Sequence, residues 1–373
     1  MAGIGPGPFC GMMLADHGAE VIRIERPGSF GPGLAGDPLK DPMLRSRRSI
    51  AVNVKEPDGI EIVRQLCATA DGIIEGFRPG VMERLGLGPE KLIQENPRLV
   101  YGRITGWGQT GPLSQTAGHD INYTALSGTL AAVGLRGERP VAPVNLVGDF
   151  GGGGMMLAFG MVSAILSAKT SGVGQIVDCA MTDGAALLST MIWGLRAAGM
   201  WDPRRGTNLL DTGAHFYDTY ECADGKFVAV GAIEPEFYAK LLGILGLEND
   251  AEFRNQFDRT TWPALRERLG EIFLLRTRTE WCDLLEKSDA CVSPVLEFDE
   301  VAIHPHNTFR KSIVSVNGVD QPAPAPRLSH TPTKAPVRPR RPGQDGPQLL
   351  SELGYSTDRV ALMLSRGVIS TVP

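Results

Sequence analysis

The pattern of apolar and polar positions in the first part of the chain predicts strands and helices in alternation. Short alternating or uniformly apolar runs predict strands at 20–25, 49–54, 72–77 and 99–108. Helical periodicity lies between them, most clearly over 57–70. Strands that alternate with helices favour a mostly parallel sheet, so the predicted fold class is α/β.

The segment before the first predicted strand is unusual. Residues 2–27 indicate a Gly/Pro loop, a helix and then a strand, a unit that normally follows an earlier strand. Only Met1 precedes this loop. We expect either that a first strand is missing or that the sheet is built differently.

Longer helices follow, and then the chain changes character. Apolar periodicity predicts helices at 120–133, 150–170 and 182–199. Residues 216–233 form two alternating runs joined by Asp224-Gly225, a strong signal for a β-hairpin. The predicted organisation is a large α/β domain (residues 1–185 and 320–373), a smaller α+β domain (207–305) and two linkers (186–206 and 306–319).

Composition and charge exclude several classes of protein. Of 373 residues, 42% are hydrophobic and 21% are charged, the balance of an ordinary globular protein. The net charge is −5 without a long basic run, so we expect no nucleic-acid partner. We find no apolar run of membrane-spanning length and expect no membrane association. The six cysteines lie far apart without a C-x-x-C pair, which indicates free thiols and a cytoplasmic location.

Common cofactor and metal motifs are absent or weak. The stretch GIGPGP, which begins at Gly3, does not match the dinucleotide motif G-x-G-x-x-G, and Pro6 and Pro8 remove two amide donors. His304 and His306 lie in a predicted loop, where a structural role is the simpler interpretation. We therefore expect neither a cofactor nor a metal.

Titratable groups stand at two predicted helix starts. His119 and Asp120 precede one predicted helix. Asp149 lies between a short apolar strand and a second predicted helix. Free amide donors and the positive end of the helix dipole favour a carboxylate at Asp149 and a neutral ring at His119. Four glycines after Asp149 allow a ligand to approach the backbone closely. At this point an ordinary N-cap at Asp149 and a structural role for His119 remain open.

Segments spread over nearly the whole chain resemble a single family. They are AGIGPGP, VIRIERP, EGFRPGVMERLGLGPE, GWGQTGP, AGHDINY, NLVGDFGGG, YDTYECADGKFVAVGAIEP and SDACVSPVL. Together they resemble the α-methylacyl-CoA racemases of the family III CoA-transferase superfamily, and most closely its bacterial branch. The departure is at the start, where family members have a further stretch that forms a first β-strand.

This resemblance implies a fold and a set of site residues. The fold is a Rossmann-like large domain with a smaller domain between its two parts, and two chains interlock as a homodimer. The catalytic residues of the family fall on His119 and Asp149, and the glutamate that pairs with the histidine falls on Glu234. From the residues alone, Glu234 could equally be an ordinary loop carboxylate. The positions implied to contact substrate or CoA are Ile4, Arg26, Arg84, Asp120 and Tyr123.

The implied reaction interconverts the R and S forms of 2-methylacyl-CoA thioesters, as in fatty acid metabolism, by proton transfer through an enolate. His119 serves the S face and Asp149 the R face. Glu234 orients His119, and the Asp120 amide stabilises the enolate. Two alternatives remain open: a family III CoA-transferase, which lacks the histidine and uses Asp149 as a nucleophile, and a truncated, non-catalytic relative that binds acyl-CoA.

Overall fold

The structure, a computed structural model, describes residues 1–28 and 36–371 of the chain. It divides into two units. The first comprises Met1–Ser127, Val144–Leu188 and Pro305–Pro373, and the second comprises Gly128–Pro143 and Ser189–His304. Residues 29–35 and 372–373, which the sequence analysis assigns to the large domain, lie outside the described residues.

The strands and helices follow in chain order. The strands are β1 (Ile22–Glu25), β2 (Arg48–Val52), β3 (Gly72–Glu75), β4 (Val100–Thr105), β5 (Ile176–Ala180), β6 (Tyr217–Glu221), β7 (Phe227–Gly231), β8 (Val292–Pro294), β9 (Ile313–Val316), β10 (Val319–Pro322) and β11 (Ile369–Ser370). The helices are α1 (Pro6–Asp16), α2 (Pro57–Thr69), α3 (Val81–Arg84), α4 (Pro89–Glu95), α5 (Asp120–Leu126), α6 (Thr129–Ala132), α7 (Met156–Ser171), α8 (Met181–Leu188), α9 (Thr190–Ala197), α10 (Pro235–Leu245), α11 (Trp262–Phe273), α12 (Arg278–Leu285), α13 (Phe298–Val301), α14 (Pro305–Arg310), α15 (Gly346–Glu352) and α16 (Thr357–Ser365). Proline opens α1, α2, α4 and α10, where its missing N–H removes no intrahelical bond.

Parallel pairing dominates the first unit and confirms the predicted α/β class. β1 pairs with β2 in parallel, and β3, β4 and β5 form a second parallel group, while β11 is antiparallel to β2. The start of the chain lies between the two groups, because Ala2 N–H donates to Ile24 O (2.8 Å) and the Met1 amino group donates to Ile74 O (2.6 Å). Helices α2 and α15 contribute Ile62 and Leu350 to a buried hydrophobic cluster that also contains Ile50 of β2.

Three predicted helix boundaries are wrong. The helix expected over 120–133 breaks into α5 and α6 because Gly128 adopts a left-handed conformation (φ 83°). The helix expected over 182–199 is divided into α8 and α9 at Ser189. The helix expected to start at residue 150 begins at Leu146 and is π-helical over Leu146–Met155 before it continues as α7.

The continuous helix Leu146–Ser171 also corrects an expectation. By length and composition alone its 26 residues could cross a membrane, although no apolar run of that length was expected from the sequence. Only 39% of the most apolar stretch of this helix is buried, so much of its apolar surface remains exposed. A helix at the core or the interface of a soluble protein meets the same criterion.

The second unit has an antiparallel sheet and an aromatic core. β6 and β7 form the predicted hairpin, with Tyr217 opposite Gly231, and β8 pairs with the other edge of β7. Phe216, Phe253 and Phe273 are completely buried in its core. This hydrophobic cluster stabilises the second unit by burying large aromatic surfaces.

Candidate active site

His119 lies at the start of α5, as predicted. Its backbone is extended (φ −132°, ψ 176°), and its N–H donates to Asn122 Oδ1 at 3.0 Å. Both features define His119 as the N-cap, so α5 begins at the next residue. The His119 side chain is exposed, while Asp120, the first helical residue, is only 6% exposed. The helix start therefore presents an accessible imidazole directly beside a buried carboxylate.

Tyr123 holds the backbone that leads into His119. Its hydroxyl donates to Gly118 O, and its ring makes an edge contact with Trp107 at 4.8 Å between centroids. A Cβ at Gly106 would lie 2.0 Å from Tyr123 Cε1, and one at Gly118 would lie 2.8 Å from the same atom. Glycines in the GWG and AGH segments thus make room for this ring.

Asp149 does not stand at an N-cap after a strand, as the sequence suggested. It lies in the first turn of the π-helical segment Leu146–Met155, because Asn145 takes the N-cap position and the preceding residues are not extended into a strand. Asn145 Nδ2 donates to Asp149 Oδ2 at 3.1 Å. The Asp149 N–H donates to Asp120 Oδ1 at 2.7 Å, which joins this turn to the residue that follows His119.

The surroundings of Asp149 favour the protonated form of its carboxyl group. Burial raises the pKa of Asp149, and the charge of Asp120 raises it further, while the Asn145 hydrogen bond and the charge of His119 lower it. Burial, then Asp149 and Asp120, also raise the pKa of Tyr123. A raised carboxyl pKa beside an imidazole is a feature of acid/base sites.

The four glycines after Asp149 serve helix packing, which corrects the expectation that they admit a ligand. A Cβ at Gly152 would lie 2.6 Å from Ala185 N on α8. A Cβ at Gly154 would lie 2.7 Å from Phe9 Cδ1 on α1. Both neighbours are parts of the protein, so the missing side chains allow α1 and α8 to approach the Asp149 segment.

A cavity of about 570 Å³ opens beside the first loop of the chain. Gly5 lines it and also faces Asp149, since a Cβ at Gly5 would lie 3.3 Å from Asp149 Oδ2. The loop therefore separates the cavity from the carboxylate by a single glycine. Other residues of the lining include Ile4, Arg26, Asn53, Lys55 and Val81.

Two implied residues are not part of this arrangement within the first unit. Arg84 is exposed on α3 and does not line the cavity, although Val81 of the same helix does. Glu234 belongs to the second unit, where it precedes Pro235 at the start of α10 and makes no side-chain capping bond. Within residues 1–28 and 36–371, no three His, Cys, Asp or Glu side chains are grouped to hold a metal ion.

Sequence reasoning missed three polar residues of the site. Asn53 and Lys55 follow the carboxyl end of β2, where parallel sheets bind ligands, and this position was the available signal. Asn145 precedes Asp149 by four residues, the spacing of neighbours on a helix. It was not recognised because the helix was expected to begin later.

Comparison with known proteins supports one family assignment. The model of CoA-transferase family III matches residues 1–346. A mouse protein named alpha-methylacyl-CoA racemase is 45% identical over 374 residues, with 100% of this chain and 96% of that protein covered. Human succinyl-CoA:glutarate CoA-transferase is 31% identical, with 97% of this chain and 86% of that protein covered.

A solved structure shares the fold. The crystal structure of a CAIB/BAIF family protein from Brucella suis has a TM-score of 0.81 at 27% identity, with 95% of this chain and 97% of that chain covered. The human alpha-methylacyl-CoA racemase is 44% identical over 375 residues, again with 100% of this chain and 96% of that protein covered. The chain therefore belongs to CoA-transferase family III, which confirms the resemblance seen in its sequence.

Proposed function

We propose that this protein is an isomerase, an α-methylacyl-CoA racemase that interconverts the R and S forms of 2-methylacyl-CoA thioesters. The observation that carries this proposal is the arrangement of His119 and Asp149, two different acid/base groups joined through the buried side chain of Asp120. Similarity over the full length to proteins named alpha-methylacyl-CoA racemase supports it. Inversion of a carbon requires one proton acceptor and one proton donor on opposite faces.

The proposed reaction moves one proton off the α-carbon and another one on. With an S substrate, neutral His119 takes the α-proton, and the electron pair of the C–H bond becomes part of the enolate. Protonated Asp149 then donates its proton to the opposite face, which gives the R product, protonated His119 and ionised Asp149. The raised pKa of Asp149 supports its role as the donor, and the reverse direction exchanges the two roles.

The enolate oxygen requires hydrogen-bond donors that are already in place. We assign this role to the Asp120 N–H, because the first amides of a helix have no intrahelical acceptor. Loss of one such donor costs about 2.7–4 kcal/mol of barrier. Glu234 would orient His119, and its carboxylate is not engaged in capping its own helix.

The cavity beside Gly5 is the proposed site for the CoA moiety. Arg26 and Lys55 lie in its lining and offer cationic groups to phosphates, while Ile4 offers an apolar contact. Gly5 lines this cavity, has no side chain and lies next to Asp149, so the proposed position of the thioester is beside Gly5. No further cofactor is proposed, because the thioester itself acidifies the α-carbon.

The exposed apolar side of the helix Leu146–Ser171 is the proposed contact with a second copy of the chain. Leu146, Phe159, Val162 and Leu166 are all exposed on it. An interlocked homodimer, as the family resemblance implies, would cover this surface without a membrane. Sedimentation of the purified protein as a dimer supports this assignment, whereas flotation with lipid vesicles contradicts it.

Exchange of the α-proton in D₂O tests the proposed activity. Each enantiomer of a 2-methylacyl-CoA is incubated with the enzyme without any added acid, and the α-proton is followed by NMR. We expect both enantiomers to lose their α-proton signal and to converge on the same mixture of R and S forms. Binding of CoA without any exchange would instead support the non-catalytic relative.

A CoA-transferase is the second candidate, because human succinyl-CoA:glutarate CoA-transferase is also a relative. In that reaction the Asp149 carboxylate attacks the thioester carbonyl, the C–S bond breaks, and a mixed anhydride and CoA thiolate form. The CoA thiolate then attacks the Asp149 carbonyl of this anhydride, which releases the donor acid and leaves an Asp149–CoA thioester. A second carboxylate attacks that thioester, and the returning thiolate attacks the second acid's carbonyl, which gives the new acyl-CoA and frees Asp149. Activity that depends on an added acid, with no deuterium at the α-carbon, would favour this candidate.

A further inference from the structure

The side chain of Asp120 has a position that the proposed role of its amide does not explain. Its Oδ1 accepts the N–H of Asp149 at 2.7 Å. The residue is 6% exposed, and its Oδ2 is buried without a hydrogen-bond partner among the described residues. Burial of a carboxylate with one oxygen unpaired is unfavourable, so a purely structural contact would be better served by a neutral side chain.

The amide that Asp120 accepts is one that the helix itself leaves unpaired. The π-helical bonding begins with Phe150 N–H, which donates to Asn145 O at 3.3 Å. The Asp149 N–H comes one residue earlier and finds its acceptor in Asp120, 29 residues away in the chain. The contact therefore fixes the start of the Asp149 segment to the start of α5.

Gly148 makes this contact sterically possible. A Cβ at Gly148 would lie 2.4 Å from Asp120 Oδ1 and 2.9 Å from its Cγ. The next atom, Thr124 Cγ2, would be 3.3 Å away. The space beside Gly148 is thus filled by the Asp120 carboxylate.

We infer that the Asp120 carboxylate is a positioning residue, which sets the separation between His119 and Asp149 by tying their two helix starts together. This inference rests on the acid/base roles proposed above. Its charge has a second effect, since it raises the pKa of Asp149. The other titratable group whose charge shifts the pKa of Asp149 is His119, which lowers it. Tyr123, on the same helix as Asp120, has its own pKa raised by both carboxylates.

A pH profile of activity can also report on titratable or charged groups of the other elements that pack against the Asp149 segment. Among the described residues these groups are Cys10 and Asp16 on α1, Tyr101 and Arg103 on β4, Lys169 on α7, Asp178 and Cys179 on β5, and Asp183 on α8. None of these is among the groups whose charge acts on Asp149. A change in the profile on substitution of Asp120 therefore reports on the contact with Asp149.

Substitutions at Asp120 separate hydrogen bond from charge. Asp120→Ala removes both, and we expect kcat to fall about 100-fold with KM within about threefold, the effect of a misplaced catalytic group. Asp120→Asn keeps an acceptor oxygen, so we expect kcat at the pH optimum to stay within about threefold. With the R substrate, for which Asp149 is the base, the acidic limb of the Asp120→Asn profile should move to lower pH because the pKa of Asp149 falls.

Hydrogen exchange provides a readout that does not depend on activity. We expect the Asp149 amide to exchange about tenfold faster in Asp120→Ala than in wild type, and Asp120→Asn to remain close to wild type. Gly148→Ala should reproduce the Asp120→Ala loss of kcat because it displaces the carboxylate. The double variant should be no worse than Asp120→Ala alone, since the clash disappears with the carboxylate.

Asp345 provides the matched control, because it is also buried and its Oδ2 accepts a backbone amide, that of Ser49, at 2.9 Å. Asp345→Ala should lower stability without moving the pH profile. The inference is overturned if Asp120→Ala retains the wild-type kcat and pH profile, or if Asp345→Ala changes the profile in the same way. If wild type itself exchanges no α-proton, the proposed function fails, while the amide exchange still shows whether Asp120 holds Asp149.

Discussion

Asp149 in the first unit and His215 in the second are both titratable side chains removed from water, and their surroundings differ. His215 is fully buried among the rings of Phe216, Tyr238 and Phe253, and burial lowers its pKa to about 4. Its Nε2 meets the Tyr238 hydroxyl at 2.7 Å, and its Nδ1 has no partner among the described residues.

Asp149 has different neighbours. A second carboxylate, Asp120, lies against its backbone, and a glycine loop separates it from a cavity. Both residues favour their neutral forms because of burial, so burial alone does not mark a functional group. The second ionisable partner and the access to a cavity distinguish the candidate catalytic residue from the structural one.

The largest expected effect comes from removing the acid/base groups. Asp149→Ala should slow proton abstraction from the R enantiomer by about 10²–10⁴-fold, the usual contribution of a positioned acid or base. His119→Ala should do the same for the S enantiomer. Initial rates of α-proton loss in D₂O, measured for each enantiomer separately, check this prediction.

His215→Phe is the control for that comparison, since it replaces a buried titratable group outside the site. Its rates per folded enzyme should equal those of wild type for both enantiomers. An equal loss for both enantiomers in Asp149→Ala and His119→Ala would contradict the assignment of one residue to each face.

The second prediction concerns the free energy of unfolding as a function of pH. His215 has an ordinary pKa of 6.5, which applies when the chain is unfolded, and a pKa of about 4 when folded. As the pH falls from 6.5 to 4, the unfolded chain takes up a proton that folded His215 does not. Stability should therefore decrease over this window by up to about 3 kcal/mol and level off below it.

Asp149 contributes with the opposite sign, which sharpens the comparison. Its folded pKa is raised, so its contribution to stability is present at low pH and is lost as the pH rises through that folded value. Urea unfolding at several pH values checks both effects. His215→Phe should flatten the loss of stability between pH 6.5 and 4; an unchanged slope would show that another group causes it.

The third prediction compares glycines in the two units. Gly106→Ala places a Cβ 2.0 Å from the Tyr123 ring and should lower the free energy of unfolding by about 1–3 kcal/mol through overpacking. Gly194→Ala, inside α9 of the second unit, meets nothing within 4 Å and should be neutral or stabilising by helix propensity. Thermal unfolding of both variants checks this contrast, and equal destabilisation would contradict it.

The smallest expected effect concerns the cavity next to Asp149. Arg26→Ala should raise KM for the acyl-CoA about tenfold, or about 1.4 kcal/mol, with kcat nearly unchanged, because Arg26 lines the cavity proposed for the CoA moiety, which is remote from the α-carbon. Arg84→Ala should raise KM less, since Arg84 does not line the cavity. A fall in kcat without a change in KM would contradict the role given to Arg26.

Local sequence patterns predicted the elements whose signals are local. The alternating run of β2 and the Asp224-Gly225 turn of the hairpin were predicted because pleat and turn chemistry depend on adjacent residues. The position of His119 before a helix was predicted for the same reason. The roles of His119 and Asp149, by contrast, came from the family resemblance.

Features that depend on tertiary contacts were not predicted. The early start of the helix at Leu146 depends on bonding five residues apart and on packing against α1 and α8. The contact between Asp120 and Asp149 joins residues that are distant in the chain, and no periodicity reports it. The glycines after Asp149 were assigned to a ligand because a sequence does not show which backbone will approach them.

The helix Leu146–Ser171 has a consequence for production of the protein. A newly synthesised chain displays this apolar surface, with Phe159 72% exposed, until a second copy covers it in the dimer proposed above. During that interval correct association competes with aggregation, and the competition worsens as the concentration of unassembled chains rises. Because Asp149 lies at the start of the same helix, slow synthesis at low temperature should increase the yield of active enzyme more than the yield of total protein.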